Sequence, residues 1–349
     1  MAKTATLIEV AKLAGVSTAT VNRVLKQQGY ISDDARERVL AAVAATNYRP
    51  NVVARGLRTQ RSQTIGLMLT AITVNPFFVG VAHAVEAAAI AAGYRVVIFN
   101  HGGSADHERH GIETFIAQRV DAVLFCTAAS AENVETLASA GIPAIEIERA
   151  LTDATHFVRV DNYVGARAAI DHLVGLGHKR IAFVGGDPAL YPQDFSRRRS
   201  VEDDRLAAYR DGMNAHGLEP DPTYIRLGQY YDLDSGISGN EGQQHADALM
   251  ALPKPPTAIF ATCDILAAGV LQSLYIAGKR VPEDISVVGF DDTLAPALAP
   301  SLTSVAQPLT ALGRQGFNMA LAAIEGQEMS DEIVLDASLT IRRSTGPAR

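Results

Sequence analysis

Residues 62–349 alternate short apolar runs with amphipathic stretches, and no other property of the chain narrows its fold as far. The apolar runs fall at 64–70, 95–100, 122–126, 144–147, 157–160, 180–184, 257–261 and 285–290. They are rich in Val, Ile, Leu and Phe, as strands buried on both faces must be. Between most of them lie helical patterns such as 77–92, 166–176, 206–216 and 265–277. Alternation of this kind requires right-handed βαβ crossovers and parallel sheets. The strands are too many for one sheet, so two doubly wound lobes are expected, the first at about 62–161 and 293–325, the second at about 162–292 and 326–349. In such sheets a ligand binds beyond the carboxyl ends of the strands, at the switch points; with two lobes facing each other, that place is the cleft between them.

A different module precedes this body. The chain carries a formal charge of −7, but residues 1–62 hold ten Lys/Arg and four Asp/Glu, a net +6 that leaves −13 on the rest. A basic head on an acidic body is the charge pattern of a nucleic-acid-binding module joined to something else. Thr6-Leu-Ile-Glu9 reads as a capping box. A helix follows to about Ala14, with Ile8, Ala11 and Leu13/Ala14 as its inner face, and Gly15 ends it. Ser17 caps a second helix, to about Leu25, whose apolar side is Val21, Val24 and Leu25. Ser32 caps a third, with Asp33 and Asp34 in its first turn and Val39, Leu40 and Val43 inward. Two short helices joined by Ala-Gly-Val-Ser, with a supporting third, make a helix-turn-helix, although other three-helix bundles share the pattern. In that motif the second helix enters the major groove. The residues it would bring to the bases are Thr18, Ala19, Thr20, Asn22 and Arg23, of which Arg23 has bidentate reach to guanine.

Residues 51–57, Asn-Val-Val-Ala-Arg-Gly-Leu, could form two helical turns and no more. A helix so short is marginal in water, and Gly56 weakens it by roughly 1 kcal/mol relative to Ala. Such a connector is ordered by what it touches. The resulting organisation is 1–50 as a DNA-binding domain, 51–61 as a hinge helix or linker, and 62–349 as an effector-binding and dimerisation core.

The run from Thr6 through Ala-Gly-Val-Ser-Thr-Ala-Thr-Val-Asn-Arg-Val to Leu25, with Asn47-Tyr-Arg-Pro-Asn51, resembles the DNA-binding head of the lactose-repressor (LacI/GalR) family. The resemblance implies an all-α three-helix helix-turn-helix headpiece and a connector that becomes a hinge helix on double-stranded operator DNA. Leu57 matches the leucine that wedges into the minor groove in that family, with Ala54 beside it, and apolar wedges of this sort kink a duplex. Thr6, Ser17, Asn51 and Arg55 complete the expected DNA surface.

The resemblance runs on through Val160-Asp-Asn, Leu176-Gly-His-Lys-Arg-Ile, Arg205-Leu-Ala-Ala-Tyr-Arg, Val281-Pro-Glu-Asp-Ile-Ser-Val-Val-Gly-Phe-Asp-Asp292, Pro300-Ser-Leu-Thr-Ser and Ile341-Arg-Arg-Ser-Thr. It implies an α/β core like that of the ribose-type periplasmic binding proteins. Matched residue by residue, the ligand-lining positions of those relatives fall on Asn75, Phe77, Phe78, Arg149, Arg205, Asp291 and Gln307. Flat rings, forked donors, a carboxylate and amides suit a sugar or polyol. Two departures stand out. Glu148 replaces the usual Asp, and Cys263 replaces the usual Asn; a thiol is a weak donor and acceptor, which argues against a plain ribose-like ligand.

The remaining features exclude more than they assign. No Gly-x-Gly-x-x-Gly follows a strand and no Walker-type loop is present, so no cofactor is expected. His101, Asp106, His107 and His110 include a three-residue spacing that could share a metal, but the segment reads as an outward-looking helix, and no metal is expected. Residues 191–204 read as a surface loop near the cleft. Cys126 and Cys263 match no metal spacing and read as reduced thiols; with no apolar leader or span near 18 residues, a cytoplasmic protein off the membrane is expected. No nucleophile–base set is evident, so the chain is not expected to be an enzyme. The reading is a dimeric regulator on a pseudo-palindromic operator, controlled by a small sugar-like effector; a sugar receptor without gene control is the rival.

Overall fold

The computed structural model describes residues 5–26, 29–48, 61–190, 199–230 and 240–349. It divides into one unit at Met1–Ser62 and another at Gln63–Arg349. The first unit holds α1 (Leu7–Ala14), α2 (Thr18–Lys26) and α3 (Asp33–Thr46). Their starts are where the sequence puts them. Thr6 Oγ1 accepts from the Glu9 amide at 3.3 Å while the Thr6 amide donates to Glu9 Oε2 at 2.7 Å, closing the capping box. Gly15 ends α1 at φ 64°, a left-handed conformation costly for any side chain with a Cβ. Ser17 and Ser32 accept from the Thr20 and Ala35 amides at 3.1 and 3.4 Å.

The inner faces of α1 and α3 need correction. Val10, Ala11, Ala14, Val21, Val24, Val39 and Ala42 form the core of this unit, whereas Ile8, Leu13 and Leu40 are 71%, 59% and 52% exposed. The buried stripe of α1 runs through positions 7, 10, 11 and 14, the i, i+3, i+4, i+7 rhythm of one helical face, and Ile8 lies one residue round from it. Leu40 misses the stripe through Val39, Ala42 and Val43 for the same reason. The connector, with Asn51, Ala54, Arg55 and Leu57, lies outside the described residues, as does 191–198.

The second unit contains β1 (Thr64–Leu69), α4 (Pro76–Ala91), β2 (Arg95–Asn100), α5 (Ala105–Gln118), β3 (Ala122–Cys126), α6 (Ala131–Ser139), β4 (Ala144–Ile147), β5 (His156–Val160), α7 (Asn162–Gly175), β6 (Ile181–Gly186) and α8 (Val201–Ala215). It continues with β7 (Ile225–Gly228), α9 (Asn240–Met250), β8 (Ala258–Ala261), α10 (Asp264–Ile276), β9 (Ser286–Asp291), β10 (Thr303–Ala306), α11 (Leu309–Glu325), β11 (Glu332–Leu335) and β12 (Ser338–Thr340). All eight expected strands form, with ends displaced by no more than two residues; β7, β10, β11 and β12 are additional.

Two six-stranded sheets result, in the orders β11-β5-β4-β3-β1-β2 and β12-β10-β9-β8-β6-β7. Every pairing is parallel except that of β10 with β12. In each sheet the chain reverses its direction of travel after two strands, so the switch points lie between β1 and β3 and between β6 and β8. β1, β3, β6, β8 and β9 are buried along their whole length, which is why they read as unbroken apolar runs.

The chain crosses between lobes after β5, as expected, but the later crossings differ from the 292/293 and 325/326 boundaries. β10 lies in the second sheet, so the return falls after Ala306, and β11 lies in the first sheet, so the last crossing falls between Leu335 and Ser338. α11 belongs to the first lobe. A Cβ on Gly313 would stand 2.7 Å from Ala84 Cβ and from the Val81 carbonyl oxygen, a closeness to α4 that only glycine permits, and Phe317 packs edge-on to Tyr94. The strands 303–306, 332–335 and 338–340 are only three or four residues long, too short to announce which sheet they join.

Gly15→Ala should destabilise the helical unit by about 1–2 kcal/mol, the cost of holding a residue with a Cβ at that φ. Calorimetry of the full chain should show the loss in the head's transition alone; a shift of the main transition instead would contradict this account.

Candidate functional site

On the head, α2 is pinned by buried Val21 and Val24, which leaves Thr18, Ala19 and Arg23 exposed and Thr20 and Asn22 half-exposed. Positions 18, 19, 22 and 23 share one face of a helix. The Ser17 hydroxyl caps α2 and lies 2.9 Å from Thr20 Oγ1, and Thr6 sits in the capping box, so both serve helix starts as well as facing solvent.

In the body a cavity of about 300 Å³ opens at the carboxyl ends of both sheets. All nine residues singled out for the effector line it: Asn75, Phe77, Phe78, Glu148, Arg149, Arg205, Cys263, Asp291 and Gln307. Each stands where a strand ends or a helix begins. Asn75 caps α4, its Oδ1 accepting from the Phe77 amide at 3.0 Å, and sets the two phenyl rings edge to face, 5.3 Å apart. Cys263 caps α10 through Sγ, which accepts from the Leu266 amide at 3.5 Å, so the thiol is already engaged by the backbone. Burial pushes that thiol up, and it stays protonated.

The charged groups form one network. Arg205, on α8, is 4% exposed. Its Nε and Nη2 donate to Asn162 Oδ1 at 2.9 and 2.7 Å, and its Nη1 to the Thr262 carbonyl at 2.8 Å. The guanidinium lies 3.9 Å from the centre of the Phe290 ring, a cation–π contact. Glu148 Oε1 accepts from Asn162 Nδ2 at 3.0 Å and lies 3.8 Å from Arg205 Nη2. Burial raises the Glu148 carboxyl above its ordinary range, against the pull of Arg205 and Asn162. Arg149 forms a bidentate pair with Glu202, Nη1 to Oε2 at 2.6 Å and Nη2 to Oε1. Burial pushes Glu202 up, yet Arg149 at this range holds its carboxyl below the usual value. Asp291 accepts from Gln307 Nε2 at 2.7 Å. Burial pushes Asp291 up to about 8; Arg205 opposes this, and Asp264 and Glu148 add to it.

Three participants escaped the sequence. Asn162 was visible only as half of an Asp-Asn pair, and it proves the hub between Arg205 and Glu148. Glu202 falls in the segment read as a surface loop, but Ser200 caps α8 there, accepting from the Asp203 amide at 3.1 Å, so 201–204 is helix and Glu202 is buried. His101, a candidate metal ligand by its place in the sequence, has another role. It is buried in the cavity wall, Nε2 on the Thr127 carbonyl at 3.1 Å, with its pKa lowered by burial to about 4. His110 instead packs edge-on to Phe99. Among the described residues no group of three or more His, Cys, Asp or Glu is placed to hold a metal. Asp161 and Asp264 do structural work: Asp161 caps α7, and Asp264 takes the amides of Thr293, Leu294 and Ala295, which anchors the turn after Asp291.

A helix-turn-helix head, with a bilobed α/β body that encloses a polar cavity at its strand ends, defines a DNA-binding regulator that responds to a small molecule. Comparison with known proteins gives the family. Residues 6–51 match the model for bacterial regulatory proteins of the lacI family, and residues 170–345 that for a periplasmic binding protein-like domain. The chain is 30% identical to the ribose operon repressor of Haemophilus influenzae, over 97% of this chain and 98% of that protein. A structure of the lac repressor dimer bound to operator and the anti-inducer ONPF superposes with a TM-score of 0.81 at 28% identity, covering 99% of this chain and 100% of that one. A complex of the transcriptional regulator CelR with cellobiose gives 0.70 at 29%, covering 97% and 99%. The chain belongs to the lacI family, whose members are transcriptional regulators rather than enzymes. Among the described residues no helix is long and apolar enough to cross a membrane.

Asp291 keeps its proton to about pH 8 in the fold, whereas unfolded Asp releases it near 3.8. Between those limits the folded state binds more protons, so stability falls as pH rises, by at most about 1.4 kcal/mol per unit from this group. Asp291→Asn should abolish that component. Melting temperatures followed across this window should fall less steeply for the variant than for the wild type; parallel curves would mean that Asp291 ionises normally.

Proposed function

We propose that this chain is a cytoplasmic repressor that binds a pseudo-palindromic operator as a homodimer and holds a sugar- or polyol-like effector between its lobes. Residues 1–50 read DNA, 51–61 form the connector, and 62–349 carry the effector site and the dimer contacts. The observation that carries the effector assignment is convergence: nine residues scattered from Asn75 to Gln307 line one cavity at both sets of strand ends. Phe77 and Phe78 offer apolar faces to C–H groups, and Asn75, Asp291 and Gln307 offer amide and carboxyl partners to hydroxyls. Relatives named as a ribose operon repressor and as a cellobiose complex support this class of ligand.

On the DNA side, Arg23 takes guanine through its fork, and Thr18 and Ala19 meet thymine methyls. Leu57 wedges the minor groove with Ala54 beside it, while Asn51 and Arg55 hold the backbone nearby. Effector and operator then change each other's affinity by the same factor, as linkage requires.

Two substitutions separate the sites. Arg23→Ala should lower operator affinity by about 1–3 kcal/mol while leaving binding to unrelated DNA nearly unchanged, read by fluorescence anisotropy at fixed salt. Equal losses on both DNAs would reduce Arg23 to a phosphate contact. Asp291→Ala should leave operator affinity intact and abolish the effector's influence on it; a retained response would remove the cavity from the mechanism.

A further inference from the structure

We infer that the cavity selects uncharged, hydroxyl-rich ligands over their phosphorylated or acidic counterparts, and that Glu202 is the residue that imposes this. The inference rests on the proposed role of the cavity and concerns which ligands it admits.

Two arginines at a ligand site would ordinarily invite an anion, because a guanidinium fork matches phosphate and carboxylate geometry. Here neither fork is available. Arg149 spends both terminal nitrogens on Glu202, whose side chain is 0% exposed. Arg205 gives Nε and Nη2 to Asn162 and Nη1 to Thr262, with Glu148 alongside. Each cation is thus matched by a buried carboxylate, and an entering anion would find no uncompensated charge while losing its own hydration.

The cavity wall asks instead for donors. Among the described residues, Glu148 Oε2 and His101 Nδ1 are buried with no hydrogen-bond partner, and both residues line the cavity. His101 uses Nε2–H on the Thr127 carbonyl, which leaves Nδ1 as a bare lone pair. These atoms come from two different loops, after β4 and after β2. A hydroxyl satisfies either one; a phosphate or carboxylate oxygen satisfies neither, and it would meet the Glu148 carboxylate at close range. Glu202 is decisive because it is the buried carboxylate that meets both terminal nitrogens of Arg149.

The test uses the full chain with glucose, ribose and ribitol, each beside its phosphate, with ribonate and with inorganic phosphate, read by calorimetry and thermal shift. The wild type should bind no phosphorylated or acidic probe more tightly than its uncharged parent. Glu202→Gln, isosteric but neutral, should bind inorganic phosphate about tenfold more tightly than the wild type, one decade per 1.4 kcal/mol of regained attraction. Adding Arg149→Gln should erase the gain, which separates it from phosphate held elsewhere on the chain. Glu202→Ala should produce the same gain, so failure of one variant to fold leaves the other. The inference falls if an anionic probe outcompetes its parent on the wild type, or if the folded variants keep wild-type phosphate affinity. Should every uncharged probe fail while the variants gain phosphate, the proposed effector class falls and the charge selection stands.

Discussion

The burial of Arg205 is the constraint on which the body of this protein depends. A guanidinium taken out of water costs several kcal/mol unless its donors and its charge are met. Asn162, the Thr262 carbonyl, Glu148 and the Phe290 ring together meet them. Those partners stand at the start of α7, after β8, after β4 and near the end of β9, so one side chain ties the ends of both sheets together. The cleft is polar and ordered because this charge must be satisfied inside it. Removing any one partner would leave a buried cation wanting, which is why Asn162 and Glu148 belong to the site as much as the groups a ligand would touch.

The backbone around the cavity carries its own sign of function. Thr127, Glu148 and Asp291 have φ of 69°, 71° and 102°, and none is glycine. Residues held this way cost of order 1–3 kcal/mol each and persist where the surroundings fix them. Glu148 is held by Asn162, the carbonyl of Thr127 takes the His101 ring, and Asp291 precedes the turn that Asp264 anchors through three amides. All three contribute to the cavity wall. A loop freed of the need to aim these side chains would have had easier conformations available, so the strain and the site have the same origin.

What the sequence made legible follows from how each signal arises. Buried parallel strands need long apolar runs, so β1, β3, β6, β8 and β9 were plain, whereas β11 and β12, short and half-exposed, were not. Helix caps depend on the local chemistry of one or two residues, and Thr6, Ser17 and Ser32 all perform as read. Helix faces depend on a phase that an Ala-rich segment barely marks, and Ile8, Leu13 and Leu40 were assigned to the wrong side. The nine cavity residues were found through resemblance to a family, then brought together by topology. Glu202 was missed because an acidic residue beside Asp203 and Asp204 reads as part of a solvated surface loop, and only its pairing with the partly buried Arg149 shows otherwise.

The same logic bears on how a small ligand could govern DNA binding. An effector shifts an equilibrium only by its differential affinity for two states, and couplings between sites are typically about 1–3 kcal/mol. A connector that folded strongly by itself would be indifferent to a bias of that size. On the proposed mechanism, a seven-residue segment that holds Gly56 takes its helical stability from DNA, which puts its folding within reach of that bias. In the body, the Arg149–Glu202 pair joins the loop after β4 to α8, one on each lobe, and sits in the cavity wall where a ligand arrives. A ligand that completes the unfilled acceptors without breaking this pair favours the arrangement of lobes in which the pair is made. One that competes for Arg149 favours its opposite. On the proposed mechanism, the charge balance of the cavity therefore decides both which ligands enter and which way each one pushes.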